Sequence, residues 1–132
     1  MRTRDTRWHA NPVDLLQCVI VDDDASFIEA AQALLEAEGV KVAGTAGTRA
    51  DAVQRIAALH PDVVLIDIRL GPESGFDTAR LLAASGHAAA MIMISTYAEG
   101  DYADLLMESP VIGFLPKAEL SGTAIRQILG SD

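Results

Sequence analysis

The sequence predicts an α/β fold in which a five-stranded parallel sheet carries helices on both faces. Five short apolar runs alternate strictly with five stretches whose apolar residues recur at helical spacing. Such alternation indicates parallel strands, because parallel neighbours need a crossover connection and a helix normally supplies it. The length of 132 residues, half of them apolar, fits one domain with a full core.

The five predicted strands are short apolar segments, most of them rich in β-branched residues. They span Cys18–Val21, Val40–Ala43, Val63–Ile66, Met91–Ile94 and Gly113–Leu115. The single cysteine begins the first strand, so we expect a packed, unreactive thiol without an internal disulfide partner. This cysteine usage favours a reduced, intracellular protein.

Five helices are predicted from apolar stripes with spacings of three and four residues. The stripes are Ile28, Ala31, Leu34 and Leu35; Ala50, Val53, Ile56 and Ala57; Phe76, Ala79, Leu82 and Ala83; Tyr102, Leu105 and Leu106; and Ala124, Ile125, Ile128 and Leu129. Thr48, followed three residues later by Asp51, resembles a capping box at the start of the second helix.

The first 14 residues are polar and irregular, and we interpret them as an N-terminal extension to a single domain at residues 15–132. Three of the ten basic residues, Arg2, Arg4 and Arg7, lie in this extension. From residue 13 onward, 7 basic and 18 acidic residues give a net charge of −11, which disfavours direct binding to nucleic acid. We see neither a secretion signal nor a run of 18 apolar residues, so we expect a cytoplasmic location without membrane contact.

Acidic residues end two of the predicted strands. Asp67 follows the third strand, and Asp22, Asp23 and Asp24 follow the first. Functional groups of open α/β sheets collect outside the carboxyl ends of the strands, so these acids are expected to share one cleft and to need a cation. One acid is enough to cap the following helix, and we assign Asp24 to that role.

Four sites together resemble the receiver domain of bacterial two-component response regulators, over roughly residues 17–130. They are the acid pair Asp22 and Asp23, then Asp67, Ser95 and Lys117, at the ends of strands one, three, four and five. The gaps of 45, 28 and 22 residues between Asp22, Asp67, Ser95 and Lys117 are similar to those of the family. The resemblance implies a three-layer (βα)5 doubly wound sheet with the flavodoxin-like strand order 2-1-3-4-5.

The resemblance also implies a chemistry for these residues. Asp67 is the expected nucleophile that accepts a phosphoryl group, while the Lys117 ammonium and the Ser95 hydroxyl contact the phosphoryl oxygens. The implied cofactor is Mg²⁺, bound directly by Asp23 and Asp67, through water by Asp22, and by the backbone carbonyl of Arg69.

By this resemblance the chain is a signalling domain that promotes its own phosphorylation and slow dephosphorylation, and is otherwise no enzyme. The implied donor is a sensor histidine kinase or a phosphotransfer protein. The implied readout is a conformational change of the fourth helix, fifth strand and fifth helix, sensed by a downstream effector or an output domain. A monomer or a phosphorylation-dependent homodimer is expected.

Two alternative functions remain open at this point. A receiver-like interaction module could work without phosphorylation, although such modules usually lack one of the acids or the lysine. A phosphatase of the haloacid dehalogenase type could use the segment Asp22-Asp23-Asp24-Ala25-Ser26, with Asp22 as nucleophile. Those enzymes generally need a larger core domain, and this reading leaves Asp67 unexplained.

Overall fold

The computed structural model describes residues 15–96 and 99–130. Five parallel strands form the main sheet: β1 (Leu16–Val21), β2 (Val40–Ala46), β3 (Val63–Asp67), β4 (Ala90–Ser95) and β5 (Gly113–Pro116). Their spatial order is β2-β1-β3-β4-β5, and every neighbouring pair is parallel. The predicted fold class and the flavodoxin-like strand order are therefore confirmed.

Five α-helices connect or follow these strands. They are α1 (Ala25–Ala37), α2 (Arg49–Leu59), α3 (Gly75–Ala84), α4 (Ala103–Met107) and α5 (Gly122–Leu129), with a 3₁₀ turn at Glu99–Tyr102 directly before α4. The Asp24 carboxylate accepts a hydrogen bond from the Phe27 N–H, and the Thr48 hydroxyl accepts one from the Asp51 N–H. Both predicted N-caps are thus confirmed.

The core lies on both faces of the sheet, and alternate residues of β1 serve opposite faces. Val19 and Val21 pack on the side of α2, α3 and α4, whereas Cys18 and Ile20 pack on the side of α1 and α5. This alternation follows from the two-residue period of a strand. Each fully buried aliphatic side chain contributes about 1.5–3 kcal/mol relative to an exposed one.

The predicted strands were too short, and one element was missed. Every main strand is longer than predicted, for example β2, which continues for three residues to Ala46. A two-stranded antiparallel hairpin, in which Arg69–Leu70 pairs with Glu73–Ser74, follows β3 and lies outside the main sheet. Neither the additional strand residues nor the hairpin has an apolar pattern in the sequence. Their backbones form strand pairs, and this pairing does not require that their side chains be buried.

The predicted helix stripes were also too wide. Leu34, Ala50, Ala57, Ala83 and Leu105 all belong to a predicted stripe but are exposed. In α2 the buried residues are Ile56, which belongs to the predicted stripe, and Ala52, which does not. A helix that lies on a sheet buries only the side chains that face the strands. Spacings of three and four residues identify an apolar face, but they do not tell which residues at its edges are buried.

Cys18 is completely buried, as predicted, and burial raises the pKa of its thiol to about 12. A thiol with so high a pKa supplies almost no reactive thiolate at neutral pH. We therefore expect a maleimide reagent to leave the native protein unmodified at pH 7 and to label one site per chain after denaturation. Intact mass measures the labelling, and rapid labelling of the native protein would contradict the burial of Cys18.

Within the described part of the chain, no helix is both long and apolar enough to span a membrane.

Candidate functional site

Three charged side chains from different strand ends meet at the carboxyl edge of the sheet. The Lys117 ammonium, directly after β5, lies 2.7 Å from Asp22 Oδ2 and 3.3 Å from Asp67 Oδ2. Asp22 follows β1, and Asp67 ends β3, the central strand. The fold thus brings together residues that are 45 and 50 positions apart in sequence.

The same edge of the sheet holds a group of oxygens that could bind a metal. One carboxylate oxygen from each of Asp22, Asp23 and Asp67 lies within 4.8 Å of the others. Asp22 is fully buried, Asp67 is largely buried and Asp23 is exposed, so the group is open to solvent on the Asp23 side. Carboxylate oxygens in this number, with room for water ligands, suit the coordination of Mg²⁺.

The two oxygens of Asp22 have different surroundings. Oδ1 accepts a hydrogen bond of 2.9 Å from the Asp24 N–H. Oδ2 is buried beside the Lys117 ammonium, but it accepts no hydrogen bond of good geometry from the described residues. A buried carboxylate oxygen that is paired with one cation and has room for a further partner fits a role in holding a metal, directly or through a water.

Lys117 is held in place by its surroundings. Its side chain is 14% exposed, and the ammonium lies 4.4 Å from the centre of the Phe27 ring at the start of α1. Burial lowers the pKa of this ammonium, but the close approach and charge of Asp22, followed by those of Asp67, outweigh burial and leave the pKa raised. Lys117 therefore remains a cation at neutral pH.

The Asp67 carboxyl has a pKa raised from 3.8 to about 6. Burial is the largest cause and the negative charge of Asp22 the second, while the Lys117 ammonium and the hydrogen bond from the Arg69 N–H act in the opposite direction. Like charges in a partly buried cleft disfavour each other's ionisation. A metal cation bound in the cleft in addition to Lys117 would relieve this repulsion between the two carboxylates.

This raised pKa predicts how the stability of the metal-free protein depends on pH. The folded state binds the Asp67 proton more tightly than the unfolded chain, so stability from this group is complete below about pH 3.8 and is lost as the pH rises to about 6. We expect Asp67→Asn to melt at a higher temperature than wild type at pH 7 in EDTA. The difference should shrink towards pH 4, and a difference that grows on acidification would contradict the assignment.

Ser95 lies on the neighbouring strand at the same edge of the sheet. It is buried at the end of β4, and the residue before it, Ile94, pairs in register with Asp67. Ser95 thus follows the strand position that is level with Asp67, and its contact with a phosphoryl oxygen stays a prediction.

Arg69, the other predicted contributor to metal binding, lies in the hairpin with its side chain exposed. Its N–H donates to Asp67 Oδ1 over 3.4 Å. Gly71, at the turn of the hairpin, is so close that a Cβ atom there would lie 3.5 Å from Asp23 Oδ2. The hairpin therefore borders the acid cluster, and metal binding by the Arg69 carbonyl stays a prediction.

A network that anchors this hairpin was missed by sequence reasoning. The Glu73 carboxylate accepts a 2.8 Å hydrogen bond from the Arg49 N–H in the first turn of α2, and Arg49 Nε donates to the buried Thr78 hydroxyl. Thr78 in turn donates to the carbonyl of Ser74. The hydrogen-bond partners are 24 and 29 residues apart, and none of them belongs to an apolar stripe. The only sequence signal for this network was the polar residue Thr78 inside α3.

Comparison with known proteins identifies the family. Residues 18–129 match the family model of the response regulator receiver domain. The chain belongs to this family. The match does not extend to residues 1–14. These residues are predicted to be an extension and lie outside the described residues.

Curated relatives of this receiver are longer proteins. Over 85 residues it is 33% identical to a protein-glutamate methylesterase/protein-glutamine glutaminase of Nocardioides sp., covering 64% of this chain and 23% of that protein. Over 118 residues it is 27% identical to the response regulator GacA of Pseudomonas aeruginosa, covering 86% of this chain and 55% of that protein. The chain thus spans between 23% and 55% of the length of these two relatives.

Solved structures agree with the family assignment. The receiver domain of the putative response regulator NarL from Mycobacterium tuberculosis superposes with a TM-score of 0.75 at 27% identity, covering 87% of this chain and 93% of that one. A CheY-like receiver domain from Methylobacillus flagellatus has the same TM-score at 24% identity, covering 89% and 98% of the two chains, and supports the fold.

Proposed function

We propose that this receiver accepts a phosphoryl group on Asp67 in a Mg²⁺-dependent reaction, from a sensor histidine kinase or a phosphotransfer protein. The observation that carries the proposal is the meeting of Asp22, Asp23, Asp67 and Lys117 at one edge of the sheet. A carboxylate nucleophile, further carboxylates for a cation and a fixed ammonium are the parts that phosphoryl transfer to aspartate requires.

In the proposed reaction an Asp67 oxygen attacks the phosphorus in line with the bond to the donor nitrogen. The new O–P bond forms as the N–P bond breaks, and the donor imidazole keeps the electron pair of that bond. Mg²⁺, held by Asp23, Asp67 and the Arg69 carbonyl with Asp22 acting through water, would neutralise charge between carboxylate and phosphoryl group. Lys117 then pairs with one phosphoryl oxygen, and Ser95 donates to another.

The position of Asp67 favours it over Asp22 as the nucleophile. Asp22 is fully buried, and its Oδ1 is held by the Asp24 N–H. Asp67 keeps 13% of its side-chain surface exposed and lies on the central strand, where a donor can approach it. This burial argues against the alternative of a haloacid dehalogenase-type phosphatase that uses Asp22.

The domain at residues 15–132 is proposed to signal through α4, β5 and α5 rather than to act as an enzyme on other substrates. A downstream effector protein or an attached output domain would sense this face in the cytoplasm. The receiver would act as a monomer or as a phosphorylation-dependent homodimer, without direct contact to nucleic acid or membrane.

The test is incubation with acetyl phosphate and MgCl₂, followed by intact mass and site mapping. We expect wild type to gain the mass of one phosphoryl group, and Asp67→Asn or wild type in EDTA to gain none. Asp77→Asn, which alters an exposed acid of α3, is the matched control and should be modified like wild type. An unmodified wild type would favour the phosphorylation-independent module, and an adduct on Asp22 the phosphatase.

A further inference from the structure

The backbone after β2 lies against the acids that follow β1. The Asp22 N–H donates a 2.9 Å hydrogen bond to the Ala46 carbonyl. A Cβ atom on Gly47 would lie 3.8 Å from the Asp22 carbonyl oxygen and 4.0 Å from Asp23 Cα. This segment leads directly into α2, which begins at Arg49. The segment before α2 is therefore one border of the acid cluster.

The hairpin after β3 is a second border of the same cluster. Its Arg69 N–H donates to Asp67 Oδ1 over 3.4 Å, and a Cβ atom on Gly71 would lie 3.5 Å from Asp23 Oδ2. A displacement of the hairpin therefore changes the surroundings of both acids. It also moves the Arg69 carbonyl, which is proposed above to bind Mg²⁺. Groups that orient metal ligands in this way tune the affinity of the site.

Apolar burial holds the hairpin to the core without fixing its orientation. The Leu70 side chain is 1% exposed and packs in the core on the side of α2 and α3. Elsewhere the hairpin borders an open cavity of about 340 Å³, which is also lined by Tyr102 and Leu105. The hydrophobic effect depends on buried area and not on direction, so Leu70 alone does not prevent a tilt towards this cavity.

Directional contacts of the hairpin come from Glu73 and Thr78. The Glu73 carboxylate accepts a 2.8 Å hydrogen bond from the Arg49 N–H and so joins the hairpin to the start of α2. Arg49 Nε donates to the Thr78 hydroxyl over 3.2 Å, and this hydroxyl donates to the Ser74 carbonyl of the hairpin over 3.0 Å. Thr78 is completely buried, which shields these contacts from water. A charged acceptor also makes the bond to the Arg49 N–H a strong one.

We propose that Glu73 and Thr78 are positioning residues of the acid cluster. With Arg49 they join the two backbone segments that border the cluster, and they thereby set the spacing of its carboxylates and of the Arg69 carbonyl for Mg²⁺. Neither residue touches the metal or the phosphoryl group, so both act through the backbone. The inference rests on the proposed function, because this spacing matters only if the cluster binds a cation.

Calorimetric titration of the unphosphorylated full chain with MgCl₂ measures the effect directly. We expect Glu73→Ala and Thr78→Val each to raise the Mg²⁺ dissociation constant by about tenfold. Glu73→Gln keeps an oxygen that can accept from the Arg49 N–H, and Thr78→Ser keeps the hydroxyl, so both should bind Mg²⁺ nearly as well as wild type. The matched control is Asp51→Ala, which removes an exposed acid from the first turn of α2 and should resemble wild type.

Two further readouts separate positioning from a loss of stability. In Mg²⁺-free buffer, the Arg49 amide should exchange its hydrogen faster in Glu73→Ala than in wild type, because it loses its acceptor. With acetyl phosphate, Glu73→Ala should need about tenfold more MgCl₂ for half-maximal phosphorylation, but should reach the wild-type rate when the metal is saturating. Circular dichroism melts establish that each variant is folded.

Equal Mg²⁺ affinities of wild type, Glu73→Ala and Thr78→Val would overturn the inference. It would also be overturned if Glu73→Gln and Thr78→Ser bound Mg²⁺ as weakly as the variants that lose the hydrogen bonds. A wild type that binds no Mg²⁺ would overturn the inference and the proposed function together. A wild type that binds Mg²⁺ but gains no phosphoryl group would contradict the proposed function alone, since the affinities of the variants decide the inference.

Discussion

Lys117→Met is expected to abolish phosphorylation of Asp67 and to reduce the free energy of unfolding in metal-free buffer by on the order of 3 kcal/mol. The ammonium lies 2.7 Å from Asp22 and 3.3 Å from Asp67, and neither carboxylate is well solvated. Without it, two negative charges share a mostly buried cleft with no cation, and the phosphoryl group loses its counter-charge. Acetyl phosphate labelling and urea denaturation in EDTA measure the two effects.

The only other lysine, Lys41, supplies the control. It is exposed on β2, and Lys41→Met should change stability by no more than a few tenths of a kcal/mol, as exposed surface substitutions usually do. Added MgCl₂ should stabilise Lys117→Met more than wild type, because the metal replaces the missing cation. Combining Lys117→Met with Asp22→Asn should recover part of the lost stability. If Lys117→Met is as stable as Lys41→Met in EDTA, the ammonium does not compensate these acids.

Gly75→Ala is expected to be the most damaging small substitution near the site. A Cβ atom on Gly75 would lie 2.0 Å from the carbonyl oxygen of Asp67 and 2.9 Å from Ile68 Cα. Both neighbours are backbone atoms, and the Gly75 N–H is bonded to the Ile68 carbonyl, so neither side can move without shifting the end of β3. We expect a loss of on the order of 3 kcal/mol or more, together with slower phosphorylation of the displaced Asp67.

Two further glycines make this prediction specific. Gly100→Ala, in the 3₁₀ turn, adds a Cβ atom with nothing within 4 Å and should leave stability near wild type. At Gly113 the nearest contact is 2.7 Å from a side-chain carbon of Ile128, which can rotate away, so Gly113→Ala should have an intermediate effect. Equal melting temperatures for Gly75→Ala and Gly100→Ala would show that the end of β3 can yield.

The positions of the candidate site residues were accessible from the sequence because each follows an apolar strand. A parallel sheet aligns the carboxyl ends of its strands, so Asp22, Asp67 and Lys117 had to appear at one edge once the strands were recognised. The resemblance to receiver domains added the strand order, which apolar periodicity alone does not specify. The caps at Asp24 and Thr48 were likewise predictable, since they depend on contacts within three residues.

The hairpin after β3 and its anchor were not accessible in this way. The contact between Glu73 and the Arg49 N–H joins residues that are 24 positions apart, and no periodic pattern marks either of them. The pairing of Lys117 with both Asp22 and Asp67, rather than with one, also depends on how far each strand end projects. Such contacts are set by the relative placement of whole elements.

By itself, the sequence determined that this protein is a five-unit α/β domain with a cleft of acids and one lysine, because alternating patterns and residue types at strand ends are local properties. Only the tertiary structure decided that Asp22 is buried and paired with Lys117, and that burial and the charge of Asp22 raise the pKa of Asp67 to about 6. It also revealed an apolar groove between α4 and the start of β5. Burial and electrostatic coupling arise from distances between distant segments, and those distances exist only in the folded chain.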